Sequence, residues 1–243
     1  MTLNIIKTDN YEEMSRIASN KIIELIKKKP NAVLGLATGG TPEGVYQMLI
    51  KDHELNGTSY KYVKTINLDE YIGLDKMDKQ SYYTFMHEKL FSHIDIQPEN
   101  TNVPNGMASD IEAETERYES FIHEIGGIDL QILGIGHNGH IAFNEPGTPF
   151  SSTTHVIKLA ENTRQANARF FNSIDEVPTH AITMGIQSIM DSKEIILLAS
   201  GASKAEAIKK LVHGEISEEF PASVLRNHKD ITVIVDKDAA QLI

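Results

Sequence analysis

The chain has 243 residues, 40% of them hydrophobic and 23% charged, enough to bury a full core as one α/β domain. It contains no Cys, which excludes a disulfide scaffold, thiolate zinc sites and a cysteine nucleophile and is compatible with a reducing compartment. With 23 basic against 34 acidic residues the formal charge is -11, which argues against nucleic acid or an anionic membrane as main partner and leaves any small anion to a locally positive loop.

The opening stretch MTLNIIKTDNYEEM lacks a basic segment followed by a long apolar run, and no apolar run approaches the roughly 20 residues that span a bilayer, so a soluble, cytoplasmic protein is expected. Residues 11–29 set Met14, Ile17, Ala18, Ile22, Leu25 and Ile26 at helical spacing, after the capping residues Asp9 and Asn10 and before Pro30. Residues 32–37 (AVLGLA) are short and nearly all apolar, as a strand buried on both faces is. A turn, Thr38-Gly39-Gly40-Thr41, comes next, with Pro42 at a helix start.

Further strands are expected at 63–68, 130–135, 194–199 and 231–235, with helical patterns between them. Ser109 and Glu112 are spaced as a capping box for a helix reaching Ile125, and 204–212 has helical composition. Strands alternating with helices, and no linker or repeat, predict a single domain over 1–243: a mainly parallel, Rossmann-like sheet flanked by helices on both faces. Ligands bind such sheets beyond the carboxyl ends of the strands, which directs attention to 38–41, 69–70, 137–145 and 200–204.

In chain order, the glycines of Thr38–Thr41 let backbone N–H groups approach an anion before a helix start, although a tight strand-to-helix turn needs the same residues. Asp69 closes a strand-like run, where a carboxylate serves as a general base if burial or Glu70 raises its pKa, or as a cap on the next turn. The densest cluster is GIGHNGHIAFNEPG, 134–147. His137, His140 and Glu145 number enough for a metal, but the glycine-interrupted spacing suits proton transfer better, with His140 oriented by Glu145 or Asn138, or else a hydrogen-bonded loop histidine. Arg169, with Arg164 before it, and Lys204 are cations able to pair a phosphate, or else solvated surface charges. The aromatic run SYYTFMHEKLF reads as a packed helix face.

Taken together, LGLATGGTPEGVY, INLDEYIGL with SYYTFM, GIGHNGHIAFNEPGTPF, TRQANARFF and SGASKAEA resemble the glucosamine-6-phosphate deaminase family in order and spacing over essentially the whole chain. The resemblance implies an aldose–ketose isomerising deaminase, counted with the hydrolases and acting in amino-sugar catabolism. It would convert glucosamine 6-phosphate and water to fructose 6-phosphate and ammonia without cofactor or metal. By this resemblance Asp69 is the base between C2 and C1, His140 opens the ring, and Asn138 and Glu145 support it, with Glu145 holding the imidazole in the useful tautomer. The phosphate falls to Thr38, Gly39, Gly40, Thr41, Arg169 and Lys204.

The expected partner is a small-molecule sugar phosphate; the chain is expected as a monomer or low-order homo-oligomer with no obligate protein partner. Many members carry Asp where this chain has Asn138, which orients a histidine but does not balance its positive charge. Regulated hexameric members have basic residues after the NEP turn and a longer tail, whereas this chain has His155 and Ile157 and stops at Ile243, implying no strong activation by N-acetylglucosamine 6-phosphate. Two competing readings are a 6-phosphogluconolactonase, which shares the fold and the phosphate turn, and a non-catalytic sugar-phosphate sensor. LDEY with GHIAFNEP argues against the first, and the set Asp69, His140 and Glu145 against the second.

Overall fold

A strand that is apolar on both faces is stable only where helices cover it from both sides, and the five apolar runs all meet that condition. The computed structural model describes residues 3–168 and 171–243. In it the chain runs β1 (Asn4–Thr8), α1 (Tyr11–Lys28), β2 (Val33–Leu36), α2 (Gly40–Asn56), β3 (Lys64–Asn67), β4 (Asp69–Tyr71), α3 (Tyr82–Lys89) and β5 (Thr101–Asn102). It continues through α4 (Ile111–Glu124), β6 (Leu130–Leu133), β7 (His155–Lys158), α5 (Glu161–Asn167), β8 (His180–Thr183), α6 (Ile186–Met190), β9 (Glu194–Ala199), α7 (Ala205–His213) and β10 (Ile231–Asp236).

Seven strands form one parallel sheet in the order β1-β10-β9-β6-β2-β3-β5. Successive side chains point to opposite faces, so Leu34 and Leu36 of β2 join Ile196, Leu198 and Ile234 beneath Met14 and Ile22 of α1, Leu49 of α2 and Met86 of α3. On the other face Val33, Ile195, Leu197 and Val233 meet Tyr118 and Ile122 of α4, Ile189 of α6, and Ile208 and Leu211 of α7. The result is one domain with helices on both faces, as expected. Among the described residues no helix is long and apolar enough to cross a membrane.

Three features differ from the sequence reading. The edge strand β1 escaped it because its burial is mixed and it has no apolar run. A small antiparallel sheet, β4-β8-β7, stands beside the large one, made of strands of three or four residues that pair across long sequence separations. The cap of α4 is Asp110, whose side chain accepts from the Ala113 N–H, rather than a Ser109–Glu112 box.

From β2 the chain builds outward to β3 and β5, while from β6 it builds the opposite way to β9 and β10. Neighbouring β2 and β6 therefore flank the point where the strand order reverses, and the crevice beyond their carboxyl ends is where such sheets receive ligands.

Candidate active site

A cavity of about 200 Å³ opens at this crevice, lined by Thr38, Gly39, Gly40 and Thr41 after β2, Asp69 after β3, and Gly136 and His140 after β6. Three loops selected for different chemistries thus converge on one space. Tyr82 and Phe143 complete its wall.

The first loop is built to leave donors free. Gly39 takes φ 96, a left-handed conformation that glycine adopts without steric cost, and no side chain caps α2. The first N–H groups of α2 have no partner in their own helix, and with Gly39 and Gly40 exposed they are open to an anion favoured by the helix dipole. Pro42 sits within that first turn, where its missing N–H costs nothing.

Asp69 is only 7% exposed and begins β4, paired with Thr183, so it is part of a strand and not a turn cap. Among the described residues no side chain or backbone group hydrogen-bonds its carboxylate. Burial, and then the neighbouring charge of Glu70, push this carboxyl up to about 8. Glu70 itself accepts from the N–H groups of Tyr71 at 2.8 Å and of Tyr82 and Tyr83 at 3.0 Å, so it joins the N-cap Ser81, whose Oγ accepts from the Thr84 N–H at 3.0 Å, in capping α3. Burial still holds Glu70 above the usual carboxylate range, against those three bonds.

The third loop fixes a histidine through a relay. The Asn138 amide donates to Glu145 Oε2 at 2.6 Å, which turns its oxygen toward His140 Nδ1 at 2.8 Å. An amide oxygen only accepts, so Nδ1 carries the proton and Nε2 keeps its lone pair. Glu145 also accepts from Thr163, at 3.1 Å, and its nearer oxygen is 3.8 Å from His140 Nδ1. The direct contact to the ring is therefore made by Asn138, with Glu145 acting behind it. Burial lowers the His140 pKa, Lys204 and His137 push the same way, and Glu145 opposes them.

Backbone geometry explains the glycines and one strained residue. A Cβ on Gly136 would lie 2.2 Å from His140 Nδ1 and Cε1, so the ring rests where a side chain would be. Ala142, in the cavity wall, has φ 51, unfavourable for a residue with a Cβ. Buried Asn144 holds this bend by donating to the carbonyls of Ile141 and Met184 at 3.0 and 2.8 Å.

Lys204 stands at the end of the short turn Ala202–Lys204, its ammonium donating to the Ile135 carbonyl at 2.7 Å, and burial lowers its pKa. That turn is braced from β10, where Asp236 accepts from Ser200 Oγ at 2.5 Å, from the Gly201 N–H at 3.0 Å and from the Ala239 N–H at 2.9 Å. Arg164 is committed to Glu161 and to the carbonyls of Ile174 and Val177. Arg169 lies outside the described residues. Among the described residues no group of three His, Asp or Glu side chains is arranged for a metal.

Tyr82 and Phe143 were missed as site residues because aromatic residues at helical or loop spacing read as packing. They do pack, with rings stacked at 6.3 Å and 15° and with Tyr71 and Phe171 nearby. They also line the same cavity as Asp69.

Comparison with known proteins matches residues 7–234 to the family described as glucosamine-6-phosphate isomerases/6-phosphogluconolactonase. A glucosamine-6-phosphate deaminase of Halalkalibacterium halodurans is 58% identical over 241 residues, covering 99% of this chain and 98% of that protein. The solved structure of a monomeric glucosamine-6-phosphate deaminase superposes with TM-score 0.97 at 54% identity, covering 99% of this chain and 100% of the other. The 6-phosphogluconolactonase from Trypanosoma cruzi shares the fold at TM-score 0.81 and 21% identity, over 99% of this chain and 97% of that one.

Proposed function

The chain belongs to the family of glucosamine-6-phosphate isomerases and 6-phosphogluconolactonases, and on that premise we propose that it is a glucosamine-6-phosphate deaminase of the cytoplasm. Full-length identity to a deaminase carries the reading, and the cavity supports it by joining an anion turn, a carboxyl of raised pKa and a histidine of defined tautomer.

In this reading the 6-phosphate sits on the N–H groups of Thr38–Thr41, with Lys204 and Arg169 supplying positive charge. His140 Nε2 takes the proton of the anomeric hydroxyl and returns it to the ring oxygen, opening the sugar. The C1 aldehyde then acidifies the C2 proton. Asp69 removes that proton while a proton of the 2-ammonium passes to O1, which gives a neutral enolamine, and delivery of the C2 proton to C1 then leaves an iminium at C2. Water adds to the iminium carbon and ammonia departs as the ketose forms. One C–N bond is broken and one water consumed, so the net deamination is hydrolytic although its first half is an isomerisation.

The raised pKa of Asp69 makes it a stronger base once ionised, and the incoming 2-amino group, as an ammonium beside it, favours that ionised form. Asn138 fixes His140 without adding charge, and Glu145 fixes Asn138.

Incubation of the purified chain with glucosamine 6-phosphate is expected to release ammonia and fructose 6-phosphate in equal amounts. Hydrolysis of 6-phosphogluconolactone with no ammonia from the amino sugar would identify a lactonase instead. Binding of sugar phosphate with neither turnover would identify a sensor.

A further inference from the structure

The first residue of α1 reaches across to the first turn of α2. The Tyr11 hydroxyl accepts from the Gly44 N–H at 2.8 Å and lies 2.8 Å from the Gly40 carbonyl and 3.0 Å from that of Thr41. Gly44 N–H and the Gly40 carbonyl are the i, i−4 partners of a regular turn, so the hydroxyl rests against both ends of the bond that closes the turn. Residues 38–42 line the cavity, while Tyr11 holds the Gly44 N–H and the carbonyls of Gly40 and Thr41.

The contact is built into the sequence on both sides. A Cβ at position 44 would lie 2.9 Å from the Tyr11 hydroxyl and 2.4 Å from Ser15 Oγ, so glycine is the residue that admits the ring. Asn10 accepts from the Glu13 N–H at 2.9 Å and fixes the start of α1, and thereby where Tyr11 begins its reach. Nothing in the proposed chemistry uses Tyr11.

We propose that Tyr11 is a positioning residue for phosphate recognition: its hydroxyl sets the first turn of α2 so that the Thr38–Thr41 N–H groups converge on a phosphate. This rests on reading that turn as the phosphate cradle. It acts on an anion held equally in ground and transition states, so its loss weakens binding and leaves the chemical step alone.

Tyr11→Phe keeps the ring and its packing and removes only the hydroxyl. Loss of one hydrogen-bonding group is expected to raise KM for glucosamine 6-phosphate by about three- to tenfold, with kcat within about twofold of the parent. The inhibition constant of inorganic phosphate is expected to rise by the same factor. Gly44→Ala, which displaces the hydroxyl without removing it, shifts both constants the same way and decides the matter if Tyr11→Phe does not fold. Unchanged constants, a fall in kcat at constant KM, or a KM effect without a phosphate effect would overturn the proposal. If the parent protein releases no ammonia, the deaminase reading fails by itself, and calorimetric titration with inorganic phosphate still tests Tyr11.

Discussion

Asp69 and Glu70 are adjacent carboxylates with different work because adjacent residues in a strand face opposite ways. Glu70 turns toward the N-terminus of α3 and is held by three N–H groups, while Asp69 turns into the cavity wall with no hydrogen-bonding partner among the described residues. The free enzyme should therefore show kcat/KM rising with pH through about 8 as Asp69 ionises. In Glu70→Gln the like charge is gone and this limb moves to lower pH, by less than the full shift because burial is the larger cause. A limb that stays in place would remove Glu70 from the account.

Stability carries the same signature. Between the ordinary 3.8 and about 8 the native state keeps a proton on Asp69 that the unfolded chain has lost, so stability falls as pH rises across that window. Asp69→Asn is neutral throughout and escapes the loss. It should lose turnover by at least about a hundredfold, bind sugar phosphate nearly as before, and gain Tm over the parent by about 5 °C or more on going from pH 5 to pH 8. Melting curves that run parallel at the two pH values would contradict the burial argument. Asp69 was legible as the polar residue ending an apolar run; the capping role of Glu70 was not, because Tyr82 and Tyr83 meet it only through the fold.

At the scale of elements, the loop after β6 works as a rigid bracket. Gly136 admits the His140 ring, Ala142 accepts a strained bend, and Asn144 locks that bend from inside. Gly136→Ala should push the imidazole off the Asn138 oxygen and lower kcat/KM by about a hundredfold, since misplacement of about 1 Å costs that much. Activity near that of the parent would mean that the ring has room the packing denies. The bracket was readable because glycine, histidine and asparagine crowd together after a buried strand. The small sheet that carries Asp69 was not, since β4, β7 and β8 are too short for any period to stand out and their partners are chosen by tertiary packing. Asp110 displaced Ser109 as cap for a similar reason, as adjacent residues of equal capping ability are separated only by backbone angles.

For the whole molecule, the proposed phosphate site would be a local exception within a formal charge of -11, resting on helix N–H groups and few cations. The three loops that line the cavity all come from one chain, and the solved deaminase with TM-score 0.97 is described as monomeric. Light scattering is expected to give the mass of one 27.0 kDa chain. The rate is expected to depend hyperbolically on glucosamine 6-phosphate without strong activation by N-acetylglucosamine 6-phosphate, and a sigmoidal curve straightened by that ligand would reverse the expectation. Fold class and the three converging loops were legible from the apolar runs and from the glycine, carboxylate and histidine residues at their carboxyl ends; the strand order that brings the loops together was not written in any one segment.

Asp236 gives this topology a consequence in time. It ends β10, which lies between β1 and β9, and it braces the turn that carries Lys204. A chain growing from its amino end releases the anion turn, Asp69 and His140 from the ribosome long before residues 231–236 emerge. Until they do, β1 has no neighbour to pair with and the Lys204 turn has no brace. A nascent chain halted before Ile231 thus holds every proposed catalytic residue while the sheet that aligns them is still open.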